Sequence, residues 1–283
     1  MKATWYKMAA RKLIINADDF NSDEDRNRGI LEAAEKGIVS SVTVIANLPF
    51  TQENVLRLKK VFGRRIGVHL NLTKGTPIAK GTQSLVDESN QFFTKKTAWR
   101  RALLHQYNLK EVEKEFAAQI SRLQELGITP DHLDGNNHLH VFPGIVEVVA
   151  RLARDCDIKK IRLPLETFNN PFHYFQPNAF KKYFFGLLAN RASGVFKSFG
   201  LVSPEHFGGI QFPRAGDIES FRKFFRKLLP GTTELMCHPG YRNSSLLPTS
   251  GSRHEEELAA LAHPEVLDTI KRENINLISY QDL

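Results

Sequence analysis

Cysteine is scarce in this sequence, with only two among 283 residues, Cys156 and Cys237. The two form no CxxC pair, which excludes a cysteine zinc cluster and a disulfide framework and is typical of a reducing compartment. No apolar run approaches the length of a transmembrane span. Lys7, Arg11 and Lys12 interrupt the start of the chain, so no signal peptide is predicted. We therefore expect a cytoplasmic protein.

The basic excess of the chain has no nucleic-acid-binding module beside it. The formal net charge is +8, from 39 Lys and Arg against 31 Asp and Glu. The basic pairs are scattered, and acidic residues lie between most of them, a pattern that favours solvated helix faces. Attraction to nucleic acid or to a membrane surface stays open as an alternative, although no nucleic-acid partner is expected.

Strand and helix patterns alternate along the whole chain. Short aliphatic or β-branched runs predict strands, and apolar residues at helical spacing predict helices. The predicted strands cover residues 12–16, 40–46, 65–72, 161–165, 205–210, 233–237 and 275–279, and residues 129–141 hold a further strand with its outgoing loop. The predicted helices cover residues 23–36, 51–62, 109–126, 143–155, 217–229 and 253–271. This alternation predicts an α/β fold whose parallel sheet is a closed or nearly closed (β/α) barrel, and no linker divides residues 1–283, so we expect a single domain.

Two irregular or aromatic segments are expected to shape a ligand site. Residues 74–94 are rich in Gly, Pro, Ser and Thr and predict a long loop, which in a compact domain is usually functional or mobile. Residues 168–199 carry many Phe and Tyr side chains. These aromatics either fill the core or a subunit contact, as in a homodimer, or form a wall over a flat ligand face such as a sugar.

The first strand ends in two adjacent carboxylates, Asp18 and Asp19. A buried strand that leads directly into two negative charges is costly unless a cation meets them. Ligands and metals of α/β proteins lie at the carboxyl ends of parallel strands. The pair therefore predicts a metal-dependent active site, with the alternative that Asp19 only caps the next helix.

Three further strand ends carry polar side chains, and all of them fall on the same predicted rim. His69 and Asn71 end the third strand, and His238 follows the strand 233–237. The run 131–140 alternates polar and aliphatic residues, so an extended chain would place alternate side chains on one face. That face would carry His132, Asp134, Asn136, His138 and His140, although Gly135 is expected to turn the chain. Imidazoles beside carboxylates are typical ligands of a divalent metal, with His132 expected to be structural.

These strand ends together resemble those of the YdjC-like carbohydrate deacetylases, a family that includes the chitooligosaccharide deacetylases. The resemblance begins at about Lys12, continues to the C-terminus and keeps the family's order of motifs. The matching segments are Ala17-Asp18-Asp19-Phe20, Gly67-Val68-His69-Leu70-Asn71-Leu72-Thr73, His132-Leu133-Asp134-Gly135, His138-Leu139-His140-Val141-Phe142-Pro143, Arg162-Leu163-Pro164 and His238-Pro239-Gly240.

The resemblance implies a distorted (β/α) barrel, a divalent metal, magnesium or zinc, and hydrolysis of an N-acetyl group on an amino sugar or oligosaccharide. It implies that Asp18 is the general base and that His238 is the general acid. It also implies that Asp19 and His69 are metal ligands, and that Arg162 orients or pairs a site carboxylate. We count Arg162 with Asn71 and His140 as expected substrate-binding residues.

One departure from the family pattern concerns the metal. The family has a third ligand histidine where this chain has Asn136. An amide oxygen binds Mg²⁺ but is a poor zinc ligand, so either the metal is harder, or His138 substitutes, or affinity is lost. A second departure, Asn21 where the family has Gly, matters less because Asn tolerates the same left-handed backbone.

The expected function is therefore that of a metal-dependent carbohydrate deacetylase. A metal makes water a better nucleophile and polarises the amide carbonyl, Asp18 accepts a proton, and His238 protonates the leaving amine. Three alternatives stay open: a catalytically silent sugar-binding protein on the same barrel, a metal-dependent phosphoesterase, and a nucleic-acid binder. The identity of the sugar is not predicted.

Overall fold

The computed structural model of the protein describes residues 10–166, 179–210, 216–242 and 248–283. The strands are β1 (Arg11–Phe20), β2 (Ser41–Val44), β3 (Ile66–Leu70), β4 (Leu133–Gly135), β5 (His206–Gly208), β6 (Gly231–Cys237) and β7 (Ile275–Ile278). The helices are α1 (Glu24–Glu35), α2 (Gln52–Phe62), α3 (Lys95–Leu103), α4 (Leu109–Glu125), α5 (Ile145–Asp155), α6 (Ala179–Ser198), α7 (Ile218–Arg226), α8 (Pro248–Leu261) and α9 (Pro264–Arg272). Within these ranges no helix is both long enough and apolar enough to cross a bilayer.

The strands form one parallel sheet in the order β4-β3-β2-β1-β6-β5, and β7 pairs with the first half of β1. Residues 160–166 join the two ends of this path through isolated parallel bridges. Ile161 pairs with Leu133 of β4, and Glu166 pairs with Phe207 of β5. The sheet therefore curls into a distorted (β/α) barrel, which confirms the predicted fold class.

Strand β1 lies at the centre of the sheet and is buried on both faces. Leu13, Ile14 and Ile15 have no exposed surface, as expected for a parallel strand covered by helices on one side and by the barrel interior on the other. Helix α1 follows, and its N-cap is Asp23, whose side chain accepts the Arg26 N–H at 2.8 Å. Asp19 is therefore not the helix cap.

The polar alternation over residues 131–140 does not form one long strand. The extended chain ends at Gly135, and Asn136–Val141 forms a 3₁₀ segment in which Asn137 and His138 have φ angles of 54° and 58°. The strand expected within 129–141 is therefore short, and the chain turns after Gly135 as expected. The left-handed residues end the extended backbone, so the five polar side chains of this run do not share one face.

Three further elements differ from the sequence prediction. Residues 161–165 form bridges rather than a strand, since Pro164 has no N–H to donate to a ladder. The predicted helix 253–271 is two helices, with Pro264 at the first turn of α9. Helix α3 follows the predicted loop directly and was not predicted.

Helix α4 anchors the loop that the sequence places at residues 74–94. Buried Glu115 accepts backbone N–H groups of Ile78 at 3.2 Å and Ala79 at 2.8 Å. Gln119 accepts the Asn71 N–H at 2.9 Å and donates to its carbonyl oxygen at 2.8 Å. The end of β3 and the start of the loop are thus fixed to one helix.

Candidate active site

Strand register brings the predicted residues to one end of the barrel. Ala17 of β1 pairs with Cys237 of β6, the last pair between these strands, so the next residues, Asp18 and His238, lie side by side. His69 of β3 pairs with Asp134 of β4 in the same way. These positions lie at the carboxyl ends of parallel strands, where α/β proteins place their ligands.

A cavity of about 400 Å³ opens at this end of the barrel. Its wall includes six of the predicted residues: Asp18, Asp19, His69, Asn136, His138 and His238. It also includes side chains that the sequence analysis did not identify: Lys95 and Trp99 of α3, and Arg253, His254 and Glu257 of α8. Their only sequence signal is the concentration of charged and aromatic residues just after the long loops.

A bulge in β1 lets two neighbouring aspartates face the same cavity. The register of β1 against β2 shifts between Ala17 and Phe20, and Asp19 has a φ of 71°. In a regular strand, adjacent side chains point to opposite faces. The left-handed residue removes this alternation, so both carboxylates reach the cavity.

Arg162 is the cationic centre beneath the cavity and has no exposed surface. Its two terminal nitrogens hold Asp18 in a bidentate pair at 2.6 and 2.7 Å. The same guanidinium lies 2.7 Å from Asp134 and 2.8 Å from Glu234. Burial alone would raise the pKa of Asp18, but Arg162, with His69 and His238 nearby, holds that pKa well below its usual range.

Negative charge exceeds positive charge in this buried cluster. Three carboxylates share the single guanidinium, those of Asp18, Asp134 and Glu234, and a fourth, Asp19, lies 3.4 Å from His69 Nε2. Burial raises the pKa of Glu234 even though Arg162 opposes the shift, and the Tyr280 hydroxyl donates to Glu234 at 2.6 Å. A cluster with surplus buried carboxylate charge is suited to a divalent cation, because unpaired buried charge is costly.

His69 is held in the orientation that a metal-binding histidine requires. Its Nδ1 lies 2.6 Å from Asp134 Oδ1, and its Nε2 lies 3.4 Å from Asp19 Oδ1. Metal-binding histidines usually bond a carboxylate through the nitrogen that does not bind the metal. Burial lowers the pKa of His69, but Asp134, Asp19 and Asp18 outweigh it and raise that pKa well above its usual value.

Asn136 lies beside the Asp19 carboxylate. Its Nδ2 donates to Asp19 Oδ1 at 3.0 Å, and its amide oxygen accepts the Thr73 hydroxyl at 2.7 Å. The amide thus occupies the position next to Asp19 that the sequence analysis gave to the third ligand. Rotation of the amide by 180° would turn its oxygen towards the Asp19 side and its NH₂ towards Thr73.

Two overlapping sets of side chains could supply ligand atoms to a metal ion here. Donor atoms of Asp18, His69 and Asp134 lie within 4.8 Å of one another. However, Arg162 already binds both of these carboxylates, and Asp134 holds the second nitrogen of His69. Asp19, His69 Nε2 and Asn136 make no contact with Arg162 and line the cavity, so this second set fits an ion better.

The two expected histidines of the 3₁₀ segment have different surroundings. His138 lines the cavity, and its ring packs edge-on against Phe185 of α6, with centroids 5.0 Å apart. His140 is fully buried, and its Nε2 lies 3.1 Å from the Arg162 carbonyl oxygen. Burial lowers the pKa of His140 to about 4, with a smaller lowering contribution from Arg162.

Three residues expected to bind substrate lie behind the cavity wall. Arg162, His140 and Asn71 have no exposed surface. Asn71 donates to Asn47 and to the Lys74 carbonyl oxygen, each at 2.7 Å. This geometry makes the three residues supports of the site rather than surfaces that a substrate could contact.

His132 lies away from the site, as its structural interpretation requires. It is fully buried, its Nδ1 lies 2.5 Å from Asp131, and its ring stacks on Tyr280 at 3.8 Å. Of the aromatic segment, Phe185 is core and packs against Trp99, whereas Tyr183 is exposed. Residues 168–178 of that segment lie outside the described part of the chain.

Comparison with known proteins finds similarity over most of the chain. A profile of the YdjC-like proteins matches residues 12–272. A carbohydrate deacetylase of Halalkalibacterium halodurans is 35% identical over 233 residues, which cover 81% of this chain and 85% of the relative. A carbohydrate deacetylase of Clostridium beijerinckii is 28% identical over 274 residues, which cover 96% of this chain and 100% of the relative.

One solved structure supports the fold. A protein of Enterococcus faecalis V583, described as a proposed cellobiose-phosphate cleavage protein, superposes with a TM-score of 0.78 at 24% identity. The superposition covers 97% of this chain and 99% of that one. The likeness therefore extends over the whole barrel.

Proposed function

This chain belongs to the YdjC-like protein family, and we propose that it is a metal-dependent carbohydrate deacetylase that hydrolyses the N-acetyl group of an amino sugar or oligosaccharide. Its curated relatives carry the name carbohydrate deacetylase. The observation that carries the proposal is the arrangement in one cavity of a paired carboxylate, Asp18, a separate donor set around Asp19, and His238. Amide hydrolysis needs a base, a Lewis acid and an acid, and the cavity wall offers a group for each.

We assign the divalent ion to Asp19, His69 and Asn136. The donors would be a carboxylate oxygen, the Nε2 atom that Asp134 leaves available, and an amide oxygen. Two oxygens and one nitrogen suit a hard ion such as Mg²⁺ better than zinc. When bound, such an ion acts as a Lewis acid towards the amide carbonyl and makes a nearby water more acidic.

Asp18 is the proposed general base. Arg162 holds it by both oxygens and keeps it ionised. Oδ1 also accepts from Asn16 Nδ2 at 2.9 Å, so Oδ2 is the oxygen whose second lone pair can accept a proton. The bidentate pair also fixes the carboxylate plane against the cavity. Arg162 therefore contributes orientation and charge balance without contacting the substrate.

His238 is the proposed general acid. It follows β6 next to Asp18 and lines the same cavity, so base and acid lie at one end of the barrel. The leaving nitrogen of an amide must gain a proton, because an amide anion is a very poor leaving group. A protonated imidazole at this position can donate that proton.

A catalytically silent sugar-binding protein is the second candidate, and Asn136 is the observation that favours it. Its NH₂ group donates to Asp19 at the place where a metal ligand is expected. If this amide does not rotate, the Asp19 carboxylate stays satisfied without a cation. The barrel would then bind sugar without turnover.

Product analysis separates these functions. Purified protein is incubated with Mg²⁺, Mn²⁺, Co²⁺ or Zn²⁺ and either N-acetylglucosamine oligomers or phosphate esters, and acetate and phosphate are quantified. The proposal expects acetate from the oligomers and no phosphate. Phosphate release alone would identify a phosphoesterase, and saturable oligomer binding without acetate would identify the silent binder.

A further inference from the structure

The turn that carries His238 is held by two buried charged side chains from different helices. Arg26 of α1 is only 6% exposed and donates to the His238 carbonyl oxygen, with the Pro239 carbonyl oxygen 3.4 Å away. Glu257 of α8 is 3% exposed and accepts the His238 N–H at 2.6 Å. Both backbone polar groups of His238 are therefore bound by side chains of opposite charge.

Backbone contacts hold the rest of the turn between the same two helices. The Gly240 N–H donates to the His254 carbonyl oxygen of α8 at 3.2 Å, and the Tyr241 N–H donates to the Asp25 carbonyl oxygen of α1 at 3.1 Å. A Cβ atom on Gly29 of α1 would lie 2.4 Å from Gly240 Cα, so the two backbones are in direct contact. The turn has no room to move towards α1.

The backbone hydrogen bonds of this turn do not require charged partners. A neutral oxygen can accept an N–H, and burying a carboxylate costs free energy that a neutral acceptor would not. Arg253 lies 3.5 Å from Glu257 and offsets part of that cost. Charge-assisted bonds are shorter and stronger than neutral ones, so they restrict the position of His238 more tightly.

We propose that Arg26 and Glu257, together called the clamp, are positioning residues that fix the His238 imidazole relative to Asp18. The inference rests on the proposed function, in which His238 protonates the leaving nitrogen. Strand register alone sets where β6 ends, but His238 lies beyond the last residue of the strand. The two helices therefore supply the restraint that the sheet no longer provides.

The two side chains restrain the acid without bonding the metal donors. Asp19, His69 and Asn136 make no hydrogen bond to Arg26 or Glu257 among the contacts of the described chain. After His69 and His238, the Arg26 charge also lowers the pKa of Asp19, so Glu257 is the residue whose loss should lower kcat with little change in KM or in metal affinity. Displacement of a catalytic group by about 1 Å can cost about 10²-fold in rate.

Three variants of neighbouring glutamates test the clamp. Glu257→Leu removes the acceptor at similar volume, Glu257→Gln keeps a carbonyl acceptor without charge, and Glu256→Leu changes an exposed neighbour as the control. We expect kcat for acetate release to fall about 10²-fold in Glu257→Leu, with Glu257→Gln recovering most of the loss and Glu256→Leu unchanged. Mn²⁺ affinity, measured by calorimetry, should be the same in all of them.

Amide hydrogen exchange of the peptide that contains His238 supplies a readout independent of activity. Exchange of this peptide should accelerate in Glu257→Leu and stay slow in Glu257→Gln and Glu256→Leu. If the wild-type protein releases no acetate, the proposed function fails, and the exchange result still decides the clamp. Unchanged exchange together with unchanged kcat in Glu257→Leu would overturn the inference.

A second variant covers the case in which Glu257→Leu does not fold. Arg26→Met removes the other half of the clamp, and Arg154→Met, whose side chain is 57% exposed, is its control. The same loss of kcat and the same faster exchange are expected for Arg26→Met. Wild-type values of both in a folded Arg26→Met protein would contradict the proposal.

Discussion

Asp134 Oδ1 lies 2.6 Å from His69 Nδ1, and the two residues face each other across the register of β3 and β4. This contact directs the other imidazole nitrogen to Asp19 and the cavity. The pairing of the two strands thus orients the His69 ring for metal binding. Replacing the Asp134 carboxylate tests whether this orientation matters for metal affinity.

Asp134→Asn should weaken Mn²⁺ binding by about 10- to 100-fold, the usual effect of losing a carboxylate that orients a metal-binding histidine. The amide keeps a similar shape but removes the charge. Calorimetric titration of metal into the wild type and the variant measures the change. Equal affinities would show that His69 does not bind the ion through Nε2.

Asn136→His should shift the metal preference from Mg²⁺ and Mn²⁺ towards Zn²⁺, with at least about tenfold tighter Zn²⁺ binding, because an imidazole is the better zinc ligand. Competition titrations with the two ions measure the shift. Asn136→Ala should weaken metal binding, whereas His138→Ala should leave it close to wild type. The reverse pattern for the two alanine variants would make His138 the third ligand.

Arg162→Met should destabilise the fold by about 3–5 kcal/mol, because it leaves buried carboxylates without their cation. Urea unfolding monitored by circular dichroism gives the free energy of unfolding. Arg154→Met, whose side chain is 57% exposed, is the matched control and should change stability by less than about 0.5 kcal/mol. A loss below about 1 kcal/mol in Arg162→Met would contradict the central role of this guanidinium.

Stability should fall on acidification through His140. Its pKa is lowered from 6.5 to about 4 by burial, so the folded state binds the proton less readily than the unfolded chain. The stability due to the neutral imidazole is complete above about pH 6.5 and is lost as pH falls towards about 4, by an amount of about 3 kcal/mol.

The measurement is the free energy of unfolding between pH 7 and pH 4 in wild type, His140→Asn and His105→Asn. His140→Asn should show a smaller decrease over this range, while His105→Asn, at an exposed position, should follow the wild type. Identical slopes in all three proteins would mean that His140 does not titrate as its burial requires.

The sequence was informative where a hydrophobic strand stops at a polar residue. Asp18, Asp19, His69 and His238 each follow such a run, and parallel strands bring those ends together. The alternation of polar and aliphatic residues over 131–140 predicted that the polar side chains share one face. They do not, because Asn137 and His138 adopt left-handed φ angles that a polar pattern does not encode.

Other residues of the site were not predicted from the sequence. Glu234 lies inside β6 between Thr233 and Leu235, and its only sequence signal is a lone charge within a buried strand. Its pairing with Arg162 depends on strands distant in sequence. The cavity residues of α3 and α8 depend on how the loops fold back over the barrel, which tertiary packing decides.

Metal-dependent acetate release tests the central claim most directly. The protein is stripped with EDTA, Mn²⁺ is returned, and acetate from N-acetylglucosamine oligomers is measured for wild type, Asp18→Asn, Asp19→Asn and the exposed control Asp155→Asn. The account predicts release that requires the metal, is retained in Asp155→Asn, and is lost in both cavity variants, with metal affinity lost in Asp19→Asn. Acetate release that persists in EDTA, or in Asp19→Asn, would contradict it.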